Sequence, residues 1–176
     1  SNKAKGMSTA RHIQKSQDTG ESGERRFYDS CRAAEKDIKK TKKGDDMHRH
    51  TDFLVDGVSF DVKGLKQSQS EGRVILEVLN VQGKMGWCNH KKKPEWIAFD
   101  FGGFFLCARN EDLYDITQDF CQLKDTVPNI KDSLYKGYTR KNRKDLMTTV
   151  LLHDVLDDCE HWFLPYKQYR APMQLL

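Results

Sequence analysis

The apolar positions Phe27, Cys31, Ala34 and Ile38 recur at spacings of four, three and four residues, the period of one helix face. Ser22 stands ahead of them as an N-cap, where its hydroxyl can accept from amides that a first turn leaves unpaired. Glu24, three residues before Phe27, falls on the same face; an acid there also suits the helix dipole. The period then changes. In "TDFLVDGVSFDVKG", residues 51–64, apolar residues alternate about Asp56-Gly57, and an Asp-Gly pair favours a two-residue hairpin turn because both central residues need φ > 0. That turn sets Val55 against Val58, Leu54 against Ser59, Phe53 against Phe60, and Asp52 against Asp61. Phe53, Val55, Val58, Phe60 and Val62 make an apolar row on the core face. The opposite face carries Asp52, Asp61 and Lys63.

Further along, "LKQSQSEG" reads as a polar loop and "RVILEVLNV" as a third, central strand. "EWIAFDF" and "FFLCA" flank Gly102-Gly103 as a second hairpin. "NEDLYDITQDFCQL" predicts a helix capped by Asn110, with Leu113, Ile116, Phe120 and Leu123 as its buried stripe. Residues 124–145 hold Pro128, Gly137, two tyrosines and seven basic residues, and read as a long basic loop. "LMTTVLL" is a strand or the start of a helix, and "HDVLDDCEHWF" is helical. Residues 1–20 lack apolar periodicity and predict a flexible arm before a single domain over 21–176. The order of elements defines an α/β domain built on a mixed sheet flanked by helices.

With 176 residues, 37% of them hydrophobic, the chain has enough apolar surface for one core but not for a second full domain. The net charge of +4 is mild, but it is unevenly spread. Basic residues bunch at 36–43, 91–93 and 131–144, as solvated surface or as phosphate-binding patches. No apolar run approaches a membrane span or a signal-peptide core, so a soluble, cytoplasmic protein without a membrane partner is expected. Five cysteines at irregular spacing fit reduced thiols rather than a disulfide framework. The pairs His48/His50, Cys88/His90 and Cys159/His161 lack the matched spacing of a zinc site. There is neither a G-x-S-x-G turn nor a P-loop.

What remains to be explained is the hairpin's polar face, because like charges directly opposed across strands destabilise the ladder. Asp52, then Asp61 and Lys63 in "DVK", with the acid-bearing helix upstream, resemble the signature of the PD-(D/E)xK nuclease superfamily, with "TD" standing where "PD" is common. The resemblance covers roughly residues 20–108, and "ILEVLNVQGKMGW" is similar to phage-encoded endonucleases and Holliday-junction-resolvase-like members. It implies a restriction-endonuclease-like mixed β-sheet core and a metal-dependent endodeoxyribonuclease, acting on branched or structured DNA, commonly as a homodimer, in the cytoplasm of a phage-infected host. It further implies Glu24, Asp52, Asp61 and Lys63 as catalytic residues. Mg²⁺ or Mn²⁺ would be held by Asp52, Asp61 and the carbonyl of Val62. Glu77 is open between a place at the edge of that site and pairing with a nearby lysine. Gln82 resembles residues that touch the scissile phosphate. Trp87 can stack on a base or plug the core. Lys91, Lys92, Lys93, Lys136, Arg140, Lys141, Arg143 and Lys144 are the candidate DNA-backbone contacts. Tyr135 and Tyr138, interleaved with the last five, can stack on bases or pack the loop. The rival readings are a nucleic-acid-binding module that keeps the nuclease fold without cutting, and a protein-binding adaptor.

Overall fold

In the computed structural model of the chain, which describes residues 22–42, 50–89 and 94–168, helix α1 covers 22–33. The predicted arm and Lys91 to Lys93 lie outside the described residues. Phe27 and Cys31 of α1 are fully buried, and the Phe27 ring packs at 5.3–5.7 Å from those of Phe53, Phe60 and Phe105. The helix is shorter than its apolar period suggests. Glu35 takes a left-handed conformation (φ 59°), and Lys36 donates its amide back to the Cys31 carbonyl at 3.0 Å, which closes the last turn. Ile38 therefore reaches the same core from strand β1 (Ile38–Lys40) rather than from the helix.

Strand β2 (Phe53–Val55) and β3 (Val58–Lys63) form the predicted hairpin in the predicted register, with Phe53 opposite Phe60 and Val55 opposite Val58. Asp56 and Gly57 both have positive φ, 49° and 81°, as this turn requires. After helix α2 (Gln67–Ser70), within the predicted polar loop, comes β4 (Arg73–Leu79). Strands β5 (Trp96–Asp100) and β6 (Phe104–Arg109) are the second hairpin, and helix α3 runs over Asn110–Asp119. The remaining elements are β7 (Gln122–Val127), a 3₁₀ turn at Ile130–Asp132, β8 (Lys136–Tyr138), β9 (Leu146–Leu151), α4 (Leu152–Asp158) and β10 (His161–Pro165).

These strands make two mixed sheets, ordered β1-β2-β3-β5-β6-β10 and β4-β9-β8-β7. In the first, β3 and β5 are parallel and the other pairs antiparallel. The fold is thus α/β, with one sheet more than the sequence suggested. The strand β4 does not continue the first sheet: it pairs with β9 at the edge of the second. Val74 and Leu76 are fully buried while Ile75 and Glu77 are half-buried, so the strand has one dominant core face instead of the two that a central strand buries. The 124–145 segment is likewise not a loop, since it carries part of β7 and all of β8. Gly137 makes their pairing feasible, because a Cβ there would lie 2.3 Å from the Leu123 carbonyl oxygen. The end of the predicted α3 stripe fails for the same reason. Leu123 belongs to β7, and Phe120 is 55% exposed. The ambiguous "LMTTVLL" lies mostly in β9, and "HDVLDDCEHWF" divides between α4 and β10.

Each face of the first sheet is covered. One core forms around Phe27, Phe53, Phe60 and Phe105 beneath α1. The other joins Ile97, Phe99 and Leu106 of the first sheet to Val74, Leu76 and Val150 of the second, with Leu113 and Ile116 of α3. The acid-bearing face of the hairpin therefore looks toward the second core, not toward open solvent.

Candidate functional site

The backbone at Asp52 is pinned from two sides. Its amide donates to the Phe60 carbonyl at 2.8 Å, and its carbonyl accepts from the Thr41 amide (3.1 Å) and hydroxyl (3.0 Å). The Asp52 carboxylate then accepts the Val62 amide at 2.8 Å, so the side chain turns in over the end of β3 and meets Asp61. The paired register ends at Phe53 opposite Phe60, with Asp52 just before β2, but the two carboxyls meet through a side-chain hydrogen bond. Asp61 is 5% exposed, and burial pushes its carboxyl well above the ordinary range. Lys63 opposes that rise, while the hydrogen bond and charge of Asp52 add to it. The Lys63 ammonium lies 3.0 Å from Asp61 Oδ2.

A strap from Asn80 to Asn89 carries the third wall. Gly86 donates to the Val78 carbonyl (2.8 Å) and Cys88 to the Glu77 carbonyl (3.0 Å), folding the strap back along β4. A Cβ at Gly86 would lie 2.5 Å from the Glu77 carbonyl oxygen, so only glycine permits this approach. The strap lays Trp87 beneath Lys63, whose Nζ is 4.9 Å from the ring centroid. That distance is within cation–π range. Carboxamide groups hold the Trp87 backbone: Asn110 Nδ2 donates to its carbonyl at 2.7 Å and Asn89 Nδ2 at 3.2 Å. At 6% exposure and 6.1 Å from the Phe99 ring, Trp87 is a core residue. The base-stacking alternative is not available to a ring so placed.

Glu77 connects this cluster to the basic segment. Burial raises its carboxyl; Lys63, the Trp87 amide and Arg140 lower it, and Asp145 raises it. Asp145 is 2% exposed and accepts from Arg140 Nε at 3.0 Å, with a second bond from Nη2. Arg140 is thus committed to neutralising a buried acid, a role its place in a basic run does not reveal. Lys136 pairs with Asp125 at 3.5 Å. Lys141, Arg143 and Lys144 are exposed, and the Lys144 side chain lies against Gly83, where a Cβ would be 3.4 Å away. The exposed Gln82 therefore belongs to the same rim. Tyr135 donates its hydroxyl to Asp154 and accepts the Leu151 amide at 3.2 Å, so it packs; Tyr138 is half-buried in β8.

Glu24 pairs with a lysine of β1. Its carboxylate is 3.9 Å from Lys40 Nζ, and it lines a groove with Tyr28, Lys40 and Phe53 on the α1 side of the sheet. A Cβ at neighbouring Gly23 would be 3.7 Å from the Gly64 Cα. This end of α1 is thereby held near the end of β3 that carries Lys63. His153, Asp154 and Asp157 also lie close together, but Asp154 is accounted for as the acceptor for Tyr135. All five cysteines are free thiols, and burial pushes those of Cys31 and Cys159 up to about 12. Among the described residues no helix is long and apolar enough to cross a membrane. No protein-family model matches the chain, and neither a curated protein nor a solved structure similar to it was found.

The raised Asp61 carboxyl carries a stability prediction. Folded protein holds this proton more tightly than the unfolded chain, whose aspartates titrate at about 3.9. The contribution is full below that value, falls as pH rises toward the native value, and is level above it. Metal-free protein is expected to lose thermal stability across this interval, and Asp61→Asn to flatten that part of the curve. Identical curves for the two proteins, measured by thermal melts from pH 3 to 8, would show that Asp61 is not held in this way.

Proposed function

We propose that the chain is a metal-dependent endonuclease of the PD-(D/E)xK superfamily, hydrolysing phosphodiester bonds in DNA at Asp52, Asp61 and Lys63. The observation that carries this reading is a buried carboxylate, Asp61, pressed against Asp52 with a lysine ammonium 3.0 Å away. Such an arrangement opposes folding unless something compensates, and hard oxygen donors of this kind suit Mg²⁺ or Mn²⁺. The carboxylates of Asp52 and Asp61 with the Val62 carbonyl would hold the ion, which supplies Lewis-acid polarisation of the phosphate. Lys63, oriented by Asp61 and Trp87, neutralises charge that develops on the phosphate oxygens. Glu24 fits a supporting role from the α1 side. The helix-then-hairpin order, with β3 beside a parallel β5, supports a restriction-endonuclease-like core.

The exposed rim of Gln82, Lys141, Arg143 and Lys144 supports DNA as the partner, because Glu77 links it to Lys63 through Arg140 and Asp145. Replacing Lys141, Arg143 and Lys144 by Gln, with Arg140 kept to satisfy Asp145, is expected to weaken DNA binding broadly. The slope of log affinity against log salt should fall by about 0.9 for each phosphate that is no longer neutralised. A salt slope equal to the wild type's would remove this rim from the footprint.

One observation favours a second reading, a nucleic-acid-binding module that keeps the fold and does not cut. Asp61 is only 5% exposed and is already ion-paired to Lys63, a closed arrangement that asks for no metal. Cleavage assays with added metal separate the two.

A further inference from the structure

We propose that Arg26 is a phosphate-binding residue of the same site, gripping the DNA backbone beside the phosphate that Lys63 serves, with Asp100 and Tyr166 as the residues that position it. Contact with DNA rests on the nucleic-acid reading above; the place of that contact beside the cut rests on the nuclease reading.

Asp100 is fully buried at the carboxyl end of β5. Its Oδ1 accepts the Gly102 amide at 2.9 Å and the Tyr166 hydroxyl, its Oδ2 accepts Arg26 Nη2 at 3.1 Å, and its carbonyl accepts Gln69 Nε2 at 2.5 Å. A buried carboxylate needs a countercharge, which by itself gives Arg26 a structural duty. The Nη2 bond meets that need and leaves most of the guanidinium over. The group carries five N–H donors in a planar fork; its side chain is 38% exposed, and Nε has no hydrogen-bond partner among the described residues. The Tyr166 ring centroid lies 5.7 Å from Arg26 Cζ, so the fork is held at one edge and one face. An arginine fixed in this way, with donors to spare, is preorganised to take an anion on its other edge.

The place of this fork identifies the anion. Strands β3 and β5 are parallel, with Lys63 level with Phe99, so Asp100 lies one residue past the level of Lys63. Successive residues point to opposite faces: Lys63 turns toward Trp87 and Asp100 toward α1. A Cβ at Gly23 would lie 3.7 Å from the Gly64 Cα and 3.8 Å from Asp100 Oδ2. The first turn of α1, the end of β3 and Asp100 therefore meet at one point, and Arg26 is one turn further along the helix. The two cations flank the carboxyl end of a parallel strand pair, the end at which α/β sheets place ligands. Cations on either side of such an end complement consecutive phosphates of one DNA strand, which carries a charge at every linkage. With Lys63 on the scissile phosphate, Arg26 takes its neighbour and fixes the register of the strand at Asp61.

The test scans an immobile four-way DNA with a single neutral methylphosphonate at successive linkages, and compares wild type with Arg26→Gln and Arg26→Gln/Asp100→Asn. The double variant protects the fold by removing the buried charge together with its partner. In EDTA, one linkage should weaken wild-type binding by about tenfold, the loss of a charged hydrogen bond. The same linkage should leave both variants unaffected, and their salt slope should be lower by about 0.9. With Mg²⁺, that linkage should be the one next to the cut. If Arg26 serves only Asp100, both variants respond to every linkage as wild type does, and the double variant binds DNA as wild type does. That result overturns the phosphate contact, as does failure of the wild type to bind DNA. A sensitive linkage remote from the cut overturns the place beside Lys63. Cutting with no linkage effect specific to Arg26 would leave the nuclease reading standing alone; a specific linkage effect without cutting would keep the contact and remove the nuclease reading.

Discussion

Asp61→Asn is expected to reduce DNA cleavage by at least about 10²- to 10³-fold, the loss typical when a group that stabilises transition-state charge is removed. Folding should survive, because asparagine conserves volume and keeps a carbonyl oxygen for the Lys63 ammonium. Asp52→Asn should cause a comparable loss of cleavage while still accepting the Val62 amide. In the absence of metal it should also stabilise the protein slightly, since it relieves the repulsion at Asp61. Lys63→Ala removes the countercharge of a buried acid and should lower both activity and stability; Lys63→Ala combined with Asp61→Asn should recover the stability but not the activity. Cleavage by Asp61→Asn within a few-fold of wild type would exclude Asp61 from the reaction centre.

Trp87→Ala should have the largest effect on stability of any single truncation near the site. A buried aromatic replaced by alanine leaves a cavity, at a cost of about 3–5 kcal/mol, and Trp87 touches Phe99 and supports Lys63 at once. Trp87→Phe, which keeps an aromatic face, should cost less and retain more cleavage than Trp87→Leu. Urea unfolding measures the first effect. The second has a signature independent of activity. The Lys63 Cε protons, lying over the indole, should resonate upfield in the wild type and return to ordinary positions in Trp87→Leu. A destabilisation under about 1 kcal/mol for Trp87→Ala, or an unshifted Lys63 signal in the wild type, would contradict this packing.

The hairpin is legible in the sequence because turn chemistry and alternation fix register residue by residue: Asp56-Gly57 sets the pairing as far as Phe53 opposite Phe60, and Asp52, just past its end, reaches Asp61 through its side chain. Strand partners are not local properties. The segment Arg73–Leu79 is recognisable as a strand, but its neighbour β9 lies far along the chain and is chosen by packing. The strands β7 and β8 leave little trace, since "QLKDTV" is mostly exposed and carries no apolar alternation. Trp87 and Arg140 mislead for a related reason. A tryptophan beside glycine and an arginine in a basic run both look like ligand contacts until tertiary structure places Phe99 and Lys63 against the one and buried Asp145 against the other.

Whether Asp52, Asp61 and Lys63 form a metal-dependent DNA-cleaving centre is decided by incubating the wild-type chain with linear, nicked and four-way DNA, with Mg²⁺ or Mn²⁺ and with EDTA. Metal-dependent cutting is expected, fastest on the four-way substrate and abolished by EDTA. Tight DNA binding with no product under any metal would contradict it and leave a binding module in its place.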